Sequence, residues 1–298
     1  MPSQQSDAVR RHWTVARAAM TNPDAPQPDT ESWGDLTAEP RDVDYVETSV
    51  NGLPAIWATP KRAATDRVLL AMHGGGFISG SIYSHRKLFA HLAKATGARA
   101  LIFDYRLAPT HIHPAQVGDT TGAYRWLLDQ GIRPEHVAFT GDSAGGGLSI
   151  TAQLRAREQG LPIPAAAVVF SPWVDMEVVG ESYDTNRDRD PFFFAETVRQ
   201  LVDVFLGTNG SARDPLANPL YADLAGLAPT YIQVGGDETL LDDAYRLAEH
   251  TKQAGIDVRL DVFPDMLHTF QMAAGRAPEA DDAIRRAAEW VRPLLGIR

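Results

Sequence analysis

The sequence predicts an α/β protein: a mostly parallel sheet with helices on both faces. Three observations carry that expectation. From residue 43 onward, short apolar runs suited to strands alternate with amphipathic runs suited to helices. Val68–Met72, Ala98–Phe103, Ala165–Phe170 and Thr230–Val234 are apolar almost throughout, as strands covered on both faces are. Two late segments carry clear helical stripes, one through Leu240, Ala244, Leu247 and Thr251, the other through Ala280, Ile284, Ala287, Val291 and Leu295.

The elements follow in order. Val43–Val50 and Leu53–Thr59 flank Asn51-Gly52, a strong hairpin signal, and are expected to form an antiparallel edge. Val68–Met72 is the third strand, followed by a helix around His85–Thr96 that Gly97 closes. Ala98–Phe103 is the fourth strand, Thr120–Asp129 a helix and Val137–Thr140 the fifth strand. A helix then runs from near Ser143 to about Glu158, stopped by Gly160. Ala165–Phe170, Thr230–Val234 and Val258–Phe263 bring the strands to eight. The last two helices carry Asp242 and Asp243 in the first turn of one and Pro278 at the start of the other.

Two segments break the alternation: residues 1–40, and residues 176–228 between the sixth and seventh strands. The second holds Pro191-Phe192-Phe193-Phe194 and a helical run near Val198–Phe205. A long insertion at the carboxyl end of a parallel strand is where a lid over a site is built. The expected organisation is a core of residues 41–175 and 229–298 with a helical cap from 1–40 and 176–228.

Composition narrows the function. Hydrophobic residues make up 44% and charged residues 22%, an ordinary globular balance. The net charge is −10, from 38 acidic against 28 basic residues, and no run of Lys and Arg provides a nucleic-acid footprint. An acidic surface repels anionic ligands, so neutral small molecules are the expected partners. With no cysteine, disulfides, thiolate metal sites and a Cys nucleophile are excluded. The first thirty residues lack the apolar stretch of a signal peptide, and no run of about 18 apolar residues could span a membrane. The expectation is a soluble cytoplasmic protein.

The chemistry lies at strand ends. Gly141-Asp142-Ser143-Ala144-Gly145 matches G-x-S-x-G and sits between the fifth strand and a helix, the context a nucleophile elbow requires. His73-Gly74-Gly75-Gly76-Phe77 follows the third strand. Its glycines leave backbone N–H groups free to point at a developing oxyanion, with the N–H of Ala144 as the second donor. Asp237 follows the seventh strand and His268 the eighth, so acid and base come after the serine at the same sheet edge. Imidazole takes the serine proton near neutral pH, and a carboxylate fixes its tautomer. Among the neighbouring acids, Asp237 is preferred over Glu238, and Asp242 and Asp243 fall in a helix. Asp142 and His73 read as supports. Such a set needs neither metal nor cofactor. Phe77, Trp173, Phe192, Phe193, Phe194 and Phe205 are candidates for a pocket lining, with core packing the competing role.

His73-Gly74-Gly75-Gly76-Phe77, Asp104-Tyr105-Arg106-Leu107-Ala108-Pro109, Gly141-Asp142-Ser143-Ala144-Gly145-Gly146, Asp237-Glu238-Thr239-Leu240 and His268-Thr269-Phe270 together resemble the hormone-sensitive-lipase family, including bacterial family IV esterases. The resemblance covers nearly the whole chain. It implies the α/β-hydrolase fold, a cap over the site, hydrolysis of short-chain acyl esters through an acyl-enzyme, and homodimerisation through the last strand's edge. Thr110 stands where the family usually has Glu, and Thr269 where it often has Gly. Lactone hydrolysis and N-acetyl amide hydrolysis would use the same residues. A silent ligand receptor on this fold would be expected to lack a triad member, and none is missing.

Overall fold

In a computed structural model, which describes residues 2–21 and 30–298, eight strands form one sheet. They are β1 (Val43–Val50), β2 (Leu53–Pro60), β3 (Val68–Met72), β4 (Arg99–Phe103), β5 (Val137–Asp142), β6 (Ala166–Phe170), β7 (Thr230–Gly235) and β8 (Val258–Phe263). Their order is β1-β2-β4-β3-β5-β6-β7-β8. The β1–β2 hairpin turns on Asn51 (φ 53°) and Gly52 (φ 84°), and Val50 faces Leu53 across the two-residue loop. β2 is antiparallel to both β1 and β4, and every other pair is parallel. The expected antiparallel edge thus reduces to one reversed strand.

Helices cover both faces because the strand side chains alternate. Leu69, Ala71, Ala100 and Ile102 pack with α2 (Ile82–Thr96) and α8 (Pro278–Leu294) through Leu88, Phe89, Ile284 and Val291. Val68, Leu70, Met72 and Phe139 face α3 (Ala115–Asp129) and α4 (Ala144–Glu158) through Tyr124, Leu127 and Leu148. The far side of α4 meets α7 (Leu241–Gln253), where Ile150 and Leu154 share a cluster with Ala244 and Leu247. α4 is therefore buried on almost every side, which explains its weak amphipathic pattern.

The two segments outside the alternation both reach the carboxyl ends of the strands. α1 (Asp7–Thr21) packs Val9, Trp13 and Ala16 against Met266, Leu267 and Phe270 beyond β8. Ser3 donates from its backbone N–H and its hydroxyl to the Glu279 carboxylate at 2.7 Å. The 176–228 insertion holds a short α5 (Ser182–Thr185) and α6 (Ala195–Leu206). Residues 22–29 of the expected 1–40 cap segment lie outside the described residues. Among the described residues, no helix is long and apolar enough to cross a membrane.

Candidate active site

The loops after β3, β5, β7 and β8 meet at one edge of the sheet. Ser143 sits between β5 and α4 with φ 54° and ψ −121°, a conformation rarely open to a non-glycine residue. The turn is crowded: a Cβ on Gly145 would lie 2.0 Å from the Met72 carbonyl oxygen and 2.7 Å from that of His73. The Ser143 side chain caps no helix N–H, leaving its hydroxyl at the cavity wall beside the positive end of α4.

His268 is buried and also lines the cavity. Its Nδ1 lies 2.7 Å from Glu238 Oε2. Glu238 is fully buried, and its Oε1 accepts from the Gly235 N–H at 2.6 Å and the Ser171 hydroxyl at 2.8 Å. Ser171 Oγ in turn accepts the Thr269 N–H at 3.1 Å, joining the loops that carry Glu238 and His268. The expectation for Asp237 is corrected here. Asp237 faces outward to Arg10 at 3.9 Å and Arg189 at 3.6 Å, and makes no bond to His268. The backbone explains it: the Asp237 N–H is tied to the Met266 carbonyl, and the turn brings the next, longer carboxylate under the imidazole.

The glycine loop divides its roles. The Gly74 N–H is already bonded, to Asp142 Oδ1 at 3.0 Å and His85 Nε2 at 3.3 Å, which removes Gly74 from the expected oxyanion donors. Gly75 and Gly76 line the cavity beside Ser143, and their N–H groups have no acceptor among the described residues. Ala144 opens α4, where the first N–H groups have no intrahelical partner. Asp142 and His85, both buried, sit behind the loop with Nε2 and Oδ2 3.3 Å apart. His73 stacks on Tyr105 at 4.2 Å, and burial pushes its imidazole down to about 3, so it braces the loop as a neutral ring.

The cavity measures about 220 Å³ and is walled by Trp13, Trp33, Ile78, Phe192, Phe193 and Leu201. Trp13 donates its indole N–H to the His268 carbonyl at 2.9 Å and stacks on Phe192 at 4.4 Å. Phe193 meets the His268 ring edge-on at 4.6 Å. Of the aromatic candidates, Phe77, Trp173 and Phe205 belong to the core, and Phe194 lies under the Arg17 guanidinium. Trp33 and Leu201 had no signal in the sequence, since each is brought to the site only by tertiary packing. Trp13 could have been suspected as an apolar residue in an amphipathic amino-terminal helix.

With this geometry in view, comparison with known proteins is decisive. A family model described as the alpha/beta hydrolase fold matches residues 69–272. The crystal structure of an esterase from the bacterial hormone-sensitive lipase family superposes with a TM-score of 0.92 at 42% identity, over 99% of this chain and 100% of that one. The chain belongs to the hormone-sensitive-lipase family of α/β-hydrolases. As a member of that family it is a carboxylesterase. An acetyl-hydrolase of Streptomyces hygroscopicus is 39% identical over 267 residues, covering 89% of this chain and 87% of that protein. An esterase of Acinetobacter venetianus is 34% identical over 78% of this chain and 77% of its own length.

Proposed function

We propose that this carboxylesterase cleaves small neutral acyl esters through an acyl-enzyme, with Ser143 as nucleophile, His268 as base and Glu238 as the acid that orients it. The observation that carries the reading is the buried Glu238–His268 pair opening onto the cavity that Ser143 also lines. His268 Nδ1 is taken by Glu238, leaving Nε2 to receive the serine proton and pass it to the leaving alcohol. Gly75, Gly76 and Ala144 supply the oxyanion N–H groups, as their unpartnered amides favour. Water then attacks the acyl-enzyme carbonyl by the same base, releasing the acid and restoring Ser143.

The small cavity favours a short acyl group, and the relative named acetyl-hydrolase points the same way. Lactones and N-acetyl amides present the same carbonyl, and rates on matched ester, lactone and amide substrates separate the three. The amino-terminal segment and the insertion form a cap, supported by the Trp13–Phe192 stack that joins them over the site. β8 is the last strand in the sheet order, and pairing of its outer edge with that of a second copy would form a dimer that light scattering tests. Ser143→Ala is expected to lower kcat on p-nitrophenyl acetate by about 10⁴-fold or more and to abolish labelling by an organophosphate. Turnover near the wild-type rate in the purified variant would falsify the assignment.

A further inference from the structure

The insertion has a task beyond covering the cavity: we propose that Asp190 is a positioning residue that fixes the Glu238–His268 pair. The proposal rests on the reading of those two residues and Ser143 as the catalytic set.

Ser182, Asn186 and Asp190 recur four residues apart at the start of the insertion, and all three are buried. Each bonds to the turn that carries Glu238. The Ser182 hydroxyl donates to the Thr239 carbonyl at 2.6 Å. The Asn186 amide donates to the carbonyls of Gly236 at 3.1 Å and Glu238 at 2.9 Å. Asp190 Oδ2 accepts the Thr239 N–H at 2.9 Å and its hydroxyl at 3.2 Å. The peptide unit between Glu238 and Thr239 is therefore gripped at its carbonyl by Asn186 and at its N–H by Asp190.

The second oxygen of Asp190 holds the backbone of the aromatic wall beside the imidazole. Oδ1 accepts the N–H groups of Phe192 at 2.8 Å and Phe193 at 3.1 Å, and the Phe193 ring is the one that abuts His268. One carboxylate thus sets both the hydrogen-bond acceptor of His268 and the aromatic wall against it. Burial raises the Asp190 carboxyl above its usual range, opposed by the donors around it. A carboxylate so placed is costly to bury, and its four donors all belong to the acid turn or to the aromatic wall. Misplacing a catalytic group by about 1 Å lowers rates by roughly 10²-fold, which makes this kind of positioning visible in turnover.

The test compares wild type, Ser143→Ala, Asp190→Ala, Asp190→Asn and Asn186→Ala on p-nitrophenyl acetate, with folding checked by circular dichroism. Asp190→Ala is expected to lower kcat by about 10- to 100-fold with KM within about threefold, and to slow organophosphate labelling of Ser143 in step. Asp190→Asn keeps one acceptor oxygen but turns an NH₂ toward donors, so a smaller loss of the same kind is expected. A folded Asp190→Ala enzyme with kcat within about twofold of wild type, or with its whole effect in KM, overturns the proposal. If Asp190→Ala does not fold, Asn186→Ala decides by the same thresholds. Turnover that survives Ser143→Ala sinks the catalytic reading and this inference with it. Loss in Ser143→Ala beside an unaffected Asp190→Ala overturns the inference alone.

Discussion

Asp237 and Glu238 are adjacent in the chain, yet one carboxylate salt-bridges two arginines at the surface and the other is sealed under an imidazole. A carboxylate that holds a catalytic imidazole in its reactive tautomer supports about 10⁴-fold in kcat. Exposed ion pairs at such distances contribute at most about 1 kcal/mol. Glu238→Gln is therefore expected to reduce kcat by about 10³- to 10⁴-fold, while Asp237→Asn leaves it within a few-fold. Steady-state rates of the two purified variants check this, and a reversed ranking would return the role to Asp237. Sequence spacing came within one residue of the carboxylate that meets His268, because a carboxylate after β7 is all that position alone reveals. Which of two neighbours turns inward depends on the Asp237 N–H bond to Met266, a contact made by a segment 29 residues away. Thr269 is a residue whose oddity was visible beforehand: its φ of 50° is a conformation that suits the glycine the family often carries there. Its N–H bond to Ser171 Oγ helps to hold that strained backbone beside His268.

At the level of elements, the strands were the most legible part, because the central ones are covered on both faces and read as unbroken apolar runs. Helix beginnings were not. α2 starts three residues before the expected His85, where Ser81 and Ser84 form a reciprocal capping box that apolar periodicity does not register. α3 starts at Ala115, five residues ahead of the expected Thr120, and the hydroxyls of Thr120 and Thr121 bond back to carbonyls in its first turn. The elbow between β5 and α4 was predicted from its glycines, and its geometry shows why they are needed. A methyl group on Gly145 would press on two backbone carbonyls at the end of β3 and the start of the glycine loop, neither of which is free to rotate away. Gly145→Ala is expected to destabilise the protein by about 3 kcal/mol and to abolish ester hydrolysis. Thermal melts and rates test this, and a variant with unchanged melting temperature contradicts the crowding argument.

Across the whole molecule, the root of the insertion is anchored by buried charge. Asp243 on α7 accepts the N–H groups of Val174 and Asp175 at 2.9 and 2.8 Å, and Arg246 pairs with Asp175. Burial, reinforced by the Asp175 charge, pushes the Asp243 carboxyl up to about 7. A carboxyl raised on folding binds its proton more tightly in the native state. Its stabilising contribution is complete below about pH 4 and is lost as pH rises through 7. Asp243→Asn keeps an oxygen for the two N–H groups, so it is expected to stabilise the protein at pH 8 by on the order of 1 kcal/mol and to do nothing at pH 4. Urea denaturation at the two pH values checks this, and equal shifts at both would refute it. The same molecular scale gives the Trp13–His268 bond a meaning for biosynthesis. Trp13 is translated long before His268, so a growing chain that has made only that wall of the pocket does not yet hold the imidazole that completes the cavity. Trp13 therefore waits for a partner that is translated 255 residues after it.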